Sequence, residues 1–215
     1  LFATRIARLF GYGFLSVVLV LYLVEIGFGA FEVGLLLTLT LVGDAAISLW
    51  LTTHADRLGR RRVLLAGAGL MVLAGIAFLL SRDMWVLVLT ATIGVISPSG
   101  NEVGPFLAVE QAALSQTVAD RQRTRVFAWY NLAGSFATAS GALAAGLLGG
   151  ALQAAGSSPL DSYRAIIVGY ALIGVLLAAL FATLSPAIEA PIRTDVSVAT
   201  RLGLPAIPAA AEVIA

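Results

Sequence analysis

An all-α integral membrane fold of six transmembrane helices is what this sequence predicts, on three observations. First, 60% of the residues are hydrophobic and only 12% charged, with a mean hydropathy of +0.98, where soluble chains hold roughly 45–50% and 25%. Second, the apolar residues come in runs of about 20, the length that crosses about 30 Å of hydrocarbon at about 1.5 Å per residue. Third, arginine, which supplies all 13 basic residues, falls almost wholly in alternate connections between these runs.

The first run is Leu9–Val24, preceded by Arg5 and Arg8. Arg5, Arg8, Tyr12 and Ser16 stand three or four apart and share one helical face. That stripe predicts a cavity-lining face, with Arg5 and Arg8 snorkelling to the headgroups. The second run, Val33–Thr53, carries Asp44 about midway, with Ser48 one turn on. A carboxylate at the bilayer centre costs roughly 2.5–3.5 kcal/mol on insertion scales, so it faces the bundle interior or water. The third run is Val63–Leu80. The fourth starts at Trp85, and Ser97-Pro98-Ser99-Gly100-Asn101-Glu102 interrupts it. Membrane helices tolerate such breakers where neighbours re-satisfy the backbone, so one long bent helix to Gln116 is expected, lining a cavity. Asn101 and Glu102 are its candidate substrate contacts, and Glu102 is the leading proton-coupling candidate, with Asp44 second.

The fifth run, Thr124–Gly150, has small residues every fourth position: Ala133, Ala137, Gly141, Ala145 and Gly149, with Gly134, Thr138, Ala142, Gly146 and Gly150 beside them. This spacing lets helix backbones approach closely, so Ala137, Gly141 and Ala145 are packing candidates. Trp129, Tyr130 and Asn131 read as an interfacial belt, with Asn131 also a cavity candidate. The sixth run is Arg164–Leu184. Residues 1–184 thus form the bundle. Ser185–Ala215, with four prolines and no long apolar run, reads as a cytoplasmic linker.

Eleven of the 13 arginines lie on the side of the chain start, the Arg57–Arg62 loop, the connection after the fourth run and the tail; only Arg82 and Arg164 lie opposite. Short loops rich in Lys and Arg stay cytoplasmic. Both ends are therefore expected to be cytoplasmic, and the chain multi-pass in the plasma (cytoplasmic) membrane. No catalytic pairing or phosphate loop is present, cysteine is absent and His54 stands alone. Enzymatic activity, a metal, a cofactor and nucleic-acid binding are not expected.

Between the second and third runs stands Asp56-Arg57-Leu58-Gly59-Arg60-Arg61. This resembles the signature loop of the major facilitator superfamily, at the same place after two spans. Arg123-x-Arg125 ahead of the small-residue helix is similar to a related segment of that family. The resemblance covers about residues 5–184 and implies the N-terminal half of a twelve-helix transporter, built of two inverted three-helix repeats. It implies a gate in which Asp56, Arg57, Gly59, Arg60 and Arg61 take part. Asp56 would face a helix start in the other half, and Arg60 would pair with acidic groups near the loop. Thr52 stands where the family has Gly. Gln116 stands where it has an acid, with Glu110 the available substitute. The family's antiporter motif is incomplete at Gly141–Gly146.

The function so implied is secondary active transport of a small solute by alternating access, with the lipid bilayer, the solute, and a missing six-helix half or a second copy as partners. The absent initial Met and the stop at Ala215 mark the chain as a fragment in this reading. The competing expectation is a non-transporting membrane scaffold or sensor, in which the arginine loop only anchors topology.

Overall fold

The turn between the second and third runs is a single residue. Gly59 has φ +88° and closes one helix while opening the next, a backbone region that a side chain resists by roughly 1–2 kcal/mol. In this computed structural model, residues 2–94, 96 and 106–184 are described, with the side chains of 51–58, 108, 113, 116, 117 and 120 outside the description. The described residues form seven helices: α1 Phe2–Glu25, α2 Ala30–Leu58, α3 Arg60–Leu80, α4 Met84–Ile93, α5 Phe106–Thr117, α6 Asp120–Ala154 and α7 Pro159–Ala182.

Local chemistry sets the ends. Asp83 accepts from the Trp85 and Val86 amides at 2.9 and 3.0 Å and so caps α4. Ser158 accepts from the Asp161 amide at 3.1 Å ahead of α7, whose first residue is Pro159. Both satisfy amide groups that a helix start leaves without partners. At the end of α6, Gly156 at φ +94° lets the Ser157 amide reach back to the Leu152 carbonyl at 3.0 Å.

Among the described residues, five helices are long and apolar enough to cross a membrane: α1, α2, α3, α6 and α7. The fourth crossing departs from expectation. In place of one bent helix there are two helices, because α4 stops at Gly94, whose amide bonds back to the Thr90 carbonyl at 2.7 Å. Gly94 also lies against α3, where an added Cβ would come within 2.3 Å of the Ala74 side chain. α4 starts directly after α3, and α5 ends two residues before α6. The pair therefore runs from one end of the bundle to the other. Asn101 and Glu102 lie outside the described residues, as does the whole of 185–215.

The packing pattern is ordered. α1 packs on α6 as α4 packs on α2; α1 packs on α7 as α4 packs on α3; α2 packs on α3 as α6 packs on α7; and α3 packs on α7. Exchanging the first three crossings with the last three maps each of these contacts onto another or onto itself, while the lighter α1–α2 contact has no counterpart of equal weight between α6 and the fourth crossing among the described residues. Successive crossings alternate in direction, so the exchange inverts the chain, as two inverted three-helix repeats require.

Glycines make the paired contacts close. A Cβ on Gly141 would come within 2.1 Å of the Phe10 carbonyl oxygen, and one on Gly13 within 2.1 Å of the Thr138 carbonyl oxygen. In the related contact, a Cβ on Gly43 of α2 would meet Thr92 of α4 at 1.9 Å. Ala137, Gly141, Ala145 and Gly149 are buried; Gly141 lies against α1, and a Cβ on Gly149 would lie 3.5 Å from Ile166 of α7. In the neighbouring row, Gly146 and Gly150 are exposed, with open space where a Cβ would go.

Candidate functional site

Five helices converge at the arginine-loop end of the bundle, and a group of charged side chains lies buried there. Thr4 and Arg8 are one turn apart on α1, and both face Glu110 of α5. The Arg8 Nη2 donates to Glu110 Oε2 at 2.8 Å, and both side chains are 0% exposed. The Thr4 hydroxyl donates to Glu110 Oε1 at 3.0 Å, and the Tyr130 hydroxyl of α6 donates to Oε2. One carboxylate thus accepts from three donors on two helices.

Arg5 occupies the next seat. Its Nη2 donates to Asn131 Oδ1 at 3.2 Å, and its guanidinium lies 4.0 Å from the centre of the Tyr130 ring. The Arg8 guanidinium lies 4.7 Å from the centre of the Phe106 ring. Phe106 in turn stacks on Phe181 of α7, ring centres 5.9 Å apart. A cation over an aromatic face is attracted by the ring quadrupole, by roughly 2 kcal/mol where water is excluded.

Two glycines open these seats. A Cβ on Gly134 of α6 would fall 2.7 Å from Arg5 Nε, and one on Gly67 of α3 would fall 2.5 Å from the Phe106 ring. Removing a partner from a buried ion pair costs roughly 3–5 kcal/mol, yet replacing the whole pair by apolar residues is often neutral or stabilising. Stability alone therefore does not account for so polar a cluster in a membrane bundle, and ionisable groups in such places mark functional sites.

The residues expected to form the gate lie nearby. Arg60 is buried, 3% exposed, at the start of α3. Arg61 donates to the carbonyl of Ala182, the last residue of α7. Arg123 of α6 donates to the Ser115 carbonyl near the end of α5 at 2.8 Å. Two loop-end arginines therefore bind the carbonyl ends of other helices, where unpaired C=O groups and the negative end of the helix dipole attract cations. The side chains of Asp56 and Arg57 lie outside the described residues.

The other candidates are scattered. Tyr12 is fully buried on α1; Ser16, half-buried, bonds to its own helix at the Gly13 carbonyl, 3.1 Å away. Asp44 and Ser48 lie on the inward stripe of α2 with Val33, Leu36 and Thr40, and both are engaged there. Asn131 is drawn to Arg5, as above.

Three expectations are corrected. Arg5 and Arg8 do not snorkel to headgroups; they are 5% and 0% exposed, held by Asn131, Glu110 and two aromatic faces. Tyr130 is not part of an interfacial belt; it is fully buried and bonded to Glu110, while its neighbour Trp129 is 58% exposed. Glu110 turns to Arg8 of α1. The missed residues are thus Thr4, Arg8, Glu110 and Tyr130. The usable signal was two arginines and a carboxylate at membrane depth, which need one another.

A family model described as the Major Facilitator Superfamily matches residues 1–209. An uncharacterized membrane protein of Saccharomyces cerevisiae, YJR124C, is 36% identical over 191 residues. That stretch covers 88% of this chain but 43% of the yeast protein, so the chain spans less than half the length of that relative.

Proposed function

Because the chain belongs to the major facilitator superfamily, we propose that it is one half of a secondary active transporter that moves a small solute across a membrane by alternating access. The observation that supports this is the paired packing of the two helix triplets, α1 on α6 and α7 as α4 on α2 and α3. An inverted pair of three-helix repeats is the element that secondary transporters rock about a midplane site.

A second six-helix body completes the machine in this proposal, supplied by the remainder of a longer chain or by a second copy. Residues 1–184 are the bundle, and 185–215 link it onward. The arginine-rich end lies in the cytoplasm of a plasma-membrane protein, since 11 of 13 arginines gather there. Asp56 and Arg57 join Gly59, Arg60 and Arg61 in the gate at that end. Tyr12, Ser16, Asn101 and Asn131 are the side chains proposed to meet the solute, with Glu102 and Asp44 the notable carboxylates.

The test needs no knowledge of the solute. These 215 residues contain no cysteine, so one placed at Ser16 in the full-length protein reports which side can reach it. Alternating access gives labelling by a membrane-impermeant maleimide from each side of a sealed vesicle. A cross-link at the loop end should abolish labelling from that side only. Access from one side alone would overturn the transport reading and leave a scaffold or sensor.

A further inference from the structure

We propose that Arg121 and Arg125, with Trp129 below them, form a seat for the headgroup of an anionic phospholipid in the leaflet on the arginine-loop side, and that its chains lie along Leu132 and Phe136. A scaffold in the same bilayer would hold this lipid equally, so the seat stands apart from the transport reading.

The exposed side of α6 carries the seat. Arg121 and Arg125 are exposed and one turn apart, and neither makes a hydrogen bond or an ion pair among the described residues. Arg123, on the opposite side of the helix, donates to the Ser115 carbonyl instead. One turn beyond Arg125 stands Trp129, 58% exposed. Below it the exposed face divides into two strips about a quarter turn apart. One strip is small: Ser135, Ala139, Gly146 and Gly150, with open space beyond the two glycines. The other is large and apolar: Trp129, Phe136, Leu143 and Leu147, from 58% to 69% exposed. Membrane helices dock on one another through small residues. The small strip therefore suits another helix, and the large strip suits lipid chains. Arg125 heads the large strip, with Arg121 one turn further out.

The depths agree with this. Trp129 at one edge of about 30 Å of hydrocarbon puts Gly149 at the other, close to the end of α6 at Ala154. Tryptophan favours that edge, where its ring lies between chains and headgroups. Arg125 then lies about 6 Å further out and Arg121 about 12 Å, and their apolar stems allow both guanidiniums to reach back to the headgroup layer. A guanidinium presents a fork of donors that matches phosphate oxygens. A zwitterionic headgroup cancels its phosphate with its own ammonium, whereas a headgroup of net negative charge answers both arginines. Charge complementarity thus selects the anionic class, each arginine being worth about fivefold in affinity.

The experiment uses the full-length protein, otherwise free of cysteine, with Phe136→Cys carrying a bimane fluorophore, in phosphatidylcholine nanodiscs. Phe136 is 69% exposed, so the change should be tolerated. Phosphatidylglycerol and phosphatidylcholine, each with a nitroxide on the acyl chain, are the probes, and their quenching gives relative association constants. Phosphatidylglycerol should be preferred at about 0.1 M salt and lose most of its advantage at about 1 M, where charges are screened within about 3 Å. Arg121→Gln and Arg125→Gln should each lower the preference by up to about fivefold, and Arg125→Lys should keep most of it. Arg62→Gln, at an exposed arginine of α3, should leave it unchanged. Equal quenching by the two lipids in the protein with both arginines overturns the inference. So does a preference lost as fully in Arg62→Gln, which means diffuse surface charge, or no quenching by either lipid, which means that a protein surface covers the strip.

Discussion

Gly141→Ala should loosen the bundle, and Gly146→Ala, one turn and a half along the same helix, should not. The added methyl at 141 would sit 2.1 Å from the Phe10 carbonyl oxygen, where an unstrained carbon–oxygen contact needs about 3.3 Å. The obstacle is main chain, so no side chain can rotate away. α1 and α6 must part locally by about 1.2 Å, and a gap of even 0.5–1 Å forfeits roughly a quarter to a half of a contact's dispersion energy. Overpacking of this kind costs about 1–3 kcal/mol. Replacing a helical glycine by alanine returns about 0.5–1 kcal/mol. The net loss is therefore about 1–2 kcal/mol, or a fall of about 2–8 °C in Tm at the usual scaling for a chain this long. Gly146 faces open space, so Gly146→Ala should be neutral or slightly stabilising. Gly13→Ala strains the same interface from the other helix, and once the gap is open the second methyl costs less. The double variant should thus lose less than the sum of the two. Heating the full-length protein in detergent and measuring the surviving monodisperse fraction by size exclusion gives the ranking. A Gly141→Ala protein as stable as Gly146→Ala, or strictly additive losses, would refute the close-contact reasoning.

Three further outcomes are expected. Arg8→Gln leaves Glu110 without its counter-ion and should cost about 3–5 kcal/mol; combining it with Glu110→Gln should recover most of that in the same heating assay. Gly59→Ala forces a side chain into φ +88° and should cost roughly 1–2 kcal/mol, with Gly59→Asn milder. Tyr22→Phe removes the hydroxyl that donates to the Phe78 carbonyl at the far end of the bundle. It should cost about 1 kcal/mol in the same heating assay.

Much of the fold was legible because membrane helices advertise themselves. Length and apolarity placed five crossings, and four-residue spacing picked out the buried face of α6 at Ala137, Gly141 and Ala145. The corner between α2 and α3 was legible as well, since Gly59 alone separates the two helices. The fourth crossing reads as one bent helix with tolerated breakers at Ser97–Glu102, whereas α4 already ends at Gly94. Only its contact with Ala74 of α3, a tertiary fact, shows why it suits a helix end. The site was harder. Arg5 and Arg8 near a helix start look like headgroup ligands, and Tyr130 beside Trp129 looks like a belt. What separates these readings is the company each side chain keeps: Gly134 and Gly67 make room for guanidinium and ring, and neither adjacency is written in local spacing.

The exchange of one helix triplet for the other has a consequence for how the chain chooses its way up. A body whose two triplets repeat the same main pairings after inversion offers the bilayer a related scaffold from either face, so helix pairing by itself gives direction little to hold. That preference must come from features the exchange does not preserve, and the largest of these is the lopsided distribution of arginine. Insertion polarity would then be carried by a handful of cations, and relocating them could turn the molecule over while leaving its helix packing intact.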